Sequence, residues 1–298
     1  MDFKSKSFGY SSAILSALCF GSVSTLAKPT LDTINPLVLT CVIYLISAIT
    51  LTPATLHKKA SFQKKDLLLI LGMSITGAVI APLLFFYGLH LTSASNTAVI
   101  SNTEIVFTVI IAILFFKEKI SSVGYVGLSM VIVGTMIVTS NLNFSDSYFR
   151  LDVGSILVIG ASLFWAIDNN VSKIITKRVD ILKIAQLKSG IGGTILLGVV
   201  FATNIPVLLP ANEIPFVLLL GIVGFALSLF FFLKSLHIIG VVKTIVIFAT
   251  SSVFGLIFAV LFLHEQVSVF QIFAIGVMIL GIYLINRKGQ IDTGIAPP

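Results

Sequence analysis

The feature that most constrains this chain is a succession of ten apolar runs, at roughly 8–27, 36–56, 66–90, 94–116, 122–140, 153–176, 181–203, 213–236, 242–263 and 267–286. A helix rises about 1.5 Å per residue, so ~20 apolar residues cross the hydrocarbon layer of a bilayer. No water satisfies a stray N–H or C=O in that layer, so helices that bond their own backbone are the economical solution. The composition agrees, being 57% hydrophobic and only 10% charged, where a soluble domain carries about 25% charged residues. Such a surface cannot be wetted all round, and the lipid bilayer is its first partner. The expected fold is an all-α integral membrane protein of ten transmembrane helices.

The basic residues lie between the apolar runs, which is a topology signal and not a nucleic-acid footprint, despite a net charge of +7. With the N-terminus placed in the cytoplasm and the loops alternating, only Lys28 and Arg150 of the 19 basic residues fall outside. Both termini are therefore expected in the cytoplasm, with 141–152 external. Lys4 and Lys6 resemble the start of a signal peptide. The run behind them is too long for that and no A-x-A site follows, so a retained first helix is expected. Cys19 and Cys41 lie within apolar runs, where packing is expected and neither a disulfide nor a metal site is.

The sequence also repeats. A shift of 147 residues places Gly77 on Gly224, Phe85 on Phe232, Leu89 and His90 on Leu236 and His237, Glu118 on Glu265, Ser121 on Ser268 and Gly134 on Gly281. A shift of 145 places Gly9 on Gly154, Leu18 on Leu163 and Lys28 on Lys173. Hydrophobic similarity alone would not match a loop Glu-x-x-Ser and a helix-end histidine. The expected repeats are 7–140 and 150–287, each of five helices. Five is odd, so the second copy enters the membrane inverted, as in many secondary transporters, where two similar packings open to opposite sides.

Two helix-end patterns carry a family resemblance: Phe115, Phe116, Lys117, Glu118, Lys119, Ile120, Ser121 and Phe262, Leu263, His264, Glu265, Gln266, Val267, Ser268. Each precedes a helix with a late glycine, Gly134 or Gly281. With Phe86, Tyr87, Gly88, Leu89 and the following Ala94 and Ala98, they resemble the EamA-type branch of the drug/metabolite transporter superfamily over nearly the whole chain. The resemblance implies transport of amino acids, other metabolites, nucleotide sugars or toxic compounds. Within it, the stretch Ser101, Asn102, Thr103, Glu104 resembles a fourth-helix signature of some prokaryotic members. Trp165 to Asn170 and Leu187 to Gly190 resemble their sixth and seventh helices. The repeat is broken at these places, because Glu104 aligns with Ser251 and Asp168 with Val23.

These departures are the candidate site. Glu104 is a carboxylate near the middle of a membrane helix, which costs about 2.5–3.5 kcal/mol if unpaired. It is expected to face the bundle interior beside water or a cation, or to hold a proton. Its functional reading is a proton-coupling or cargo-amine site, and its structural reading a carboxyl bonded to neighbouring helices. Asp168, Asn169 and Asn170 span about 200° of a helix, so they cannot all face one cavity. Lys188 is a candidate partner for Asp168, as an ionic gate or as a static interhelical pair. The expected cavity is lined by the first, third, fourth, sixth, eighth and ninth helices, with the fifth and tenth outside. The candidate binding residues are Glu104, Asp168, Asn169, Lys188 and Asn102. Lys234 and Lys243 read as interfacial lysines, His90 and His237 as helix-end packing.

There is no Walker motif, no GxGxxG and no His/Cys ligand cluster, and no catalytic residue, cofactor or metal is expected. The expected function is secondary transport of small metabolites by alternating access, with protons as candidate coupling ions. The alternative is a flippase or an intramembrane enzyme acting on lipid-linked groups. The expected partners are lipid, a small-molecule cargo and a second copy of the chain, with no nucleic acid, and the expected location is the plasma membrane.

Overall fold

A computed structural model describes residues 3–56, 62–116, 119–139, 152–286 and 291–292. Residues 141–151, Glu118, Arg287 and Lys288, on which parts of the topology and repeat readings rest, lie outside the described residues. Among the described residues the fold is helical apart from a two-residue antiparallel pair, in which Lys119 opposes Asp292 and Ile120 opposes Ile291. Among the described residues, seven helices are long and apolar enough to cross a membrane, namely Lys6–Thr30, Pro36–Thr55, Lys64–Leu91, Ala94–Phe115, Val153–Ile175, Ile181–Ala202 and Ile214–Ile239. Ser122–Gly134, Ser251–Leu263 and Val269–Leu284 are shorter apolar helices. Large apolar side chains such as Phe115, Phe262, Val269 and Phe273 point outward, as a lipid-facing surface requires.

In chain order the helices are α1 (Phe3–Thr30), α2 (Pro36–Thr55), α3 (Lys64–Ile75), α4 (Ala81–Leu91), α5 (Ala94–Ile100), α6 (Thr103–Phe116), α7 (Ser122–Thr139), α8 (Val153–Ile175), α9 (Ile181–Ala202), α10 (Ile214–Leu219), α11 (Ser228–Ile239), α12 (Val241–Phe248), α13 (Ser251–Leu263) and α14 (Val269–Asn286). Their starts are set locally. Asn35, Asp152 and Asp180 each accept a backbone N–H of the following turn, which is N-capping. Pro36 sits at the first position of α2, where a missing N–H costs nothing.

Two interruptions were not expected from the apolar pattern. The runs 94–116 and 242–263 are each broken, at Ser101–Asn102 and at Ala249–Thr250. Both breaks tighten into i→i−3 bonding: Glu104 and Ile105 donate to Ser101 and Asn102, as Ser252 and Val253 do to Ala249 and Thr250. The other interruptions are π-helical, over Thr76–Ile80 between α3 and α4 and over Leu220–Leu227 between α10 and α11. A π turn frees a carbonyl and shifts a helix face, and such turns recur at functional sites.

Packing is close where glycines allow it. A Cβ on Gly9 would meet Ile239 at 2.7 Å, and one on Gly88 would meet the Gly154 carbonyl at 2.7 Å. The start of α1 therefore lies against the end of α11, and the end of α4 against the start of α8. These contacts define two ends of the bundle. The near end holds the start of α1, the β pair and the Arg178–Asp66 contact at 3.9 Å. There His237 Nδ1 lies 3.0 Å from the Thr176 carbonyl, so this ring joins the ends of α11 and α8. The far end holds the ends of α1 and α4 and the turn after α13. α7 and α14 pack on each other away from the middle, with Gly134 against Met278 and Gly281 against the Gly127 carbonyl. Among the described residues both cysteines are free.

Candidate functional site

The broken and π-turned helices converge midway between the two ends, and there the buried polar residues gather. The π turn leaves the Gly77 carbonyl free of its ordinary helical role. Tyr44 Oη donates to it at 3.0 Å and Trp165 Nε1 at 3.2 Å. Gly77 has no side chain for a second reason. A Cβ there would stand 2.5 Å from Asp168 Cγ, so α8 approaches the π turn only because the position is bare.

Asp168 and Lys188 form an ion pair, Nζ to Oδ2 at 2.5 Å, with both side chains about 95% enclosed. Asp168 Oδ1 has no hydrogen-bond partner. A buried pair of this kind neutralises its net charge, but the leftover lone pairs keep it marginal unless something else satisfies them. Glu104 lies on the first turn of α6, just past the break, and is 7% exposed. Asn169 Nδ2 donates to Glu104 Oε1 at 2.5 Å. Among the described residues no lysine, arginine or histidine makes an ion pair with Glu104. The three consecutive polar residues of α8 therefore divide their work. Asp168 takes Lys188, Asn169 takes Glu104, and Asn170 turns away to donate to the Thr108 and Ala166 carbonyls.

These groups border a central cavity of about 70 Å³. At ~30 Å³ per water, that is room for a few waters and too little for a metabolite. Its polar wall is Tyr44, Glu104, Asp168, Asn169, Lys188 and Ser228, and its apolar wall includes Phe20, Trp165, Phe225 and Phe248. Phe20 stacks edge-on to Trp165 at 5.6 Å and tilts against Phe248 at 5.2 Å, so the aromatic wall is one connected patch. A narrow slot runs from Glu104 past Ser101 and Asn102 to Ala249 and Ser251.

The expected lining needs one correction. Besides α1 and the helices built around α3, α6, α8, α11 and α12, the wall takes Tyr44 from α2 and Lys188 from α9. α2 and α9 pack tightly, with Ser47 and Ser189 hydroxyls 3.1 Å apart and a Gly193 Cβ position 2.9 Å from Leu45. That contact swings Tyr44 and Lys188 inward. Asn102 is not on the main wall. Its Nδ2 donates to Ser252 Oγ at 2.9 Å and ties the two helix breaks together. Tyr44 was missed by the sequence reading, because an isolated tyrosine in an apolar run carries no distinguishing pattern; Gly77 was marked by the repeat, as a place for close packing and not as a hydrogen-bond acceptor.

Chemically, the site offers a carboxylate without a cation, a neutralised acid–lysine pair and aromatic faces. An ionised carboxylate so enclosed calls for a counter-charge, which a proton or a cationic group supplies. Among the described residues no cluster of His, Cys, Asp and Glu is arranged to hold a metal ion.

A model of the EamA-like transporter family matches the chain twice, over residues 7–140 and 152–287. Among similar proteins, an uncharacterized transporter of Methanothermobacter thermautotrophicus is 29% identical over 299 aligned residues, which cover 95% of this chain and 87% of that protein. An uncharacterized transporter of Clostridium kluyveri is 23% identical, covering 95% of each chain. One solved crystal structure superposes with a TM-score of 0.70 at 14% identity, covering 96% of this chain and 97% of the other. It speaks to the fold alone.

Proposed function

From the premise that this chain belongs to the EamA-like transporter family, within the drug/metabolite transporter superfamily, we propose that it is a secondary transporter of small polar or amphipathic metabolites, such as amino acids. It is a multi-pass membrane transporter by family. Our reading adds alternating access across the plasma membrane, with Glu104 as the proton-coupling group. The observation that carries it is the pairing pattern in the central cavity. Lys188 is already held by Asp168, and Glu104 has only an amide on it. A carboxylate so placed exchanges one positive partner for another, proton or cargo ammonium, and such competition couples two fluxes.

The ten-helix count and the inverted five-helix repeats, 7–140 and 150–287, belong to the same reading. Two features support them. The breaks at 101–102 and 249–250 coincide within one residue under the 147-residue shift, and the two π segments overlap under it. Paired discontinuous helices at corresponding positions are the usual sign of a midplane site between inverted repeats. The basic asymmetry supports a topology with both termini in the cytoplasm. A cysteine at Ser145 is then labelled from outside intact cells by an impermeant reagent, and labelling only after permeabilisation overturns that topology.

The direct test uses proteoliposomes and a radiolabelled amino-acid mixture. The parent protein is expected to catalyse counterflow and to accumulate label when a pH gradient is imposed. Glu104→Gln keeps size and hydrogen bonding but cannot take up or release a proton. It is expected to retain counterflow and to lose gradient-driven accumulation. Unchanged accumulation at equal protein would remove the coupling role.

A further inference from the structure

The two ends of the bundle are fastened differently. At the far end Lys28 Nζ donates to the carbonyls of Leu89, His90 and Thr92 at 2.9, 3.1 and 2.6 Å, and so ties the end of α1 to the end of α4. Beside it, in the turn after α13, Glu265 Oε1 accepts the Ala94 N–H and Oε2 the Ser95 N–H, both at 2.9 Å. The repeat points to the near-end counterpart of the α1–α4 seam. A shift of 145 carries Lys28 to Lys173 in the last turn of α8, and a shift of 147 carries His90 to His237 in the last turn of α11. Both seams are lightly packed. The near one is crossed by the His237 imidazole, whose Nδ1 stands 3.0 Å from the Thr176 carbonyl. A carbonyl only accepts, so Nδ1 carries the proton and donates.

The central cavity already extends along this seam. Its α11 wall is Ser228, Leu229, Phe232 and Leu233, and its α8 wall includes Asp168 and Asn169. One helical turn further toward the near end, Leu233 is followed by His237, and Asp168 and Asn169 by Ser172. Thr176 continues the same face of α8 a turn later. Ser172 is 1% exposed, and its hydroxyl has no hydrogen-bond partner. Other buried hydroxyls of α8 do not share this: Ser162 and Thr176 each donate to the carbonyl four residues back. A buried hydroxyl left unpaired costs stability in the closed bundle, and water supplies its partners once the seam parts. Helix α11 is jointed at both ends. The π segment Leu220–Leu227 leads straight into it, and Gly240 follows it with φ 85°. Helices bend at π turns, and a glycine takes a positive φ without strain.

We propose that the near-end half of the transport path runs between α8 and α11, over Asn169, Ser172 and Thr176, and that the His237 imidazole is the gate that closes it on the Thr176 carbonyl. The proposal rests on the alternating-access reading above and adds the route and its closing residue. With His237 seated, the cavity ends at Leu233. With His237 released, α11 swings from α8 about its two joints, and Ser172 and Thr176 carry a polar strip from the Glu104 site to the near end. The facing wall of α11 is Phe232 and Leu233, so the route suits a cargo with one polar and one apolar face. Loss of the gate bond weakens the closed state alone, and so shifts the population toward the near-open form.

The test reads the near-end opening of the full-length protein in detergent, where both ends meet the reagent. In a Cys19→Ala, Cys41→Ala background, Ser172→Cys is the reporter, and its rate of alkylation by a hydrophilic maleimide is measured. Ser162→Cys, on the far half of α8 and fully buried, is the control. His237→Ala is expected to raise the Ser172→Cys rate about fivefold, the factor that one net hydrogen bond lost from the closed state supplies. It is expected to leave the Ser162→Cys rate as it was. His237→Asn, whose amide N–H stands where Nδ1–H stood, is expected to stay near the parent. His237→Phe keeps a ring without the N–H and is expected to behave as His237→Ala does, and it reports even if His237→Ala fails to fold. A role confined to packing overturns the proposal. It is recognised by an unchanged Ser172→Cys rate, by equal rises at both reporters, or by a parent-like rate in His237→Phe. A rise confined to Ser172→Cys in a protein that shows no counterflow would sustain the gate and remove the transport reading. Unchanged rates in a protein that does show counterflow would do the reverse.

Discussion

Gly77 and Gly224 stand 147 residues apart, each in a π-helical segment and each pressed by a side chain from a neighbouring helix, yet the neighbours differ in kind. At Gly77 a Cβ would stand 2.5 Å from the carboxyl carbon of Asp168, and at Gly224 it would stand 2.8 Å from a methyl of Val23. The same contrast continues one shell further. Lys188 holds Asp168, while Ile43, 145 residues earlier than Lys188, is fully buried in apolar contact. Glu104 has Ser251 as its counterpart. The glycine contact is kept at both places, and the charge at only one. A backbone crossing can thus be repeated for its shape, while the chemistry is placed on one side of the cavity.

The comparison is broken most severely by uncoupling the ion pair. Asp168→Asn leaves the Lys188 ammonium buried without a counter-charge, and is expected to cost about 3–5 kcal/mol, read as a large fall in the thermal unfolding midpoint in detergent. The comparison is sharpened by converting the polar place into its apolar counterpart. Asp168→Val together with Lys188→Ile is expected to recover most of that stability, because a buried pair replaced by packed apolar groups is often neutral, while transport is lost. A double variant no more stable than Asp168→Asn would show that the two crossings are not equivalent.

Next in size is the glycine contact itself. Gly77→Ala drives a methyl into a carboxylate pinned by Lys188, and a loss of about 3 kcal/mol is expected, at the upper end for overpacking. Gly224→Ala meets a valine methyl in an apolar wall that yields more readily, and a loss of about 1 kcal/mol is expected. Equal losses in matched unfolding curves would mean that the nature of the neighbour does not matter. The smallest stability effect is expected at Glu104→Gln, within about 1 kcal/mol, because the amide oxygen still accepts from Asn169. A loss of several kcal/mol there would mark Glu104 as a structural acid, not one kept for transport.

Much of the frame was legible in the residues. The apolar runs, their lengths and the basic asymmetry are consequences of matching each segment to lipid or water, and the family resemblance lay in the order of short motifs such as the loop Glu118–Ser121 and its counterpart Glu265–Ser268. The run 94–116 also contained its own warning, since Ser101, Asn102 and Thr103 interrupt apolar residues where the helix proves to break. The π turn at Thr76–Ile80 had a quieter mark, Gly77 and the following Pro82, which read as a place for a kink because proline has no N–H to continue the helical ladder. Tyr44, alone in its apolar run, had none. Its role comes from the Gly77 carbonyl that the turn releases.

The sequence by itself determined which segments avoid water, that the chain carries two related halves, and which few polar residues lie in the apolar runs. Those properties depend only on local composition and spacing. The tertiary structure decided that Asn169 and not Asn170 reaches Glu104, that Lys188 closes on Asp168, and that Glu265 seats on Ala94 and Ser95. Each of these depends on the rotation and crossing of helices far apart in the chain. A rotation of 100° per residue moves a side chain from cavity to neighbour, and that rotation is set by glycine contacts such as Gly77 on Asp168 and Gly193 on Leu45, which only the packed bundle supplies.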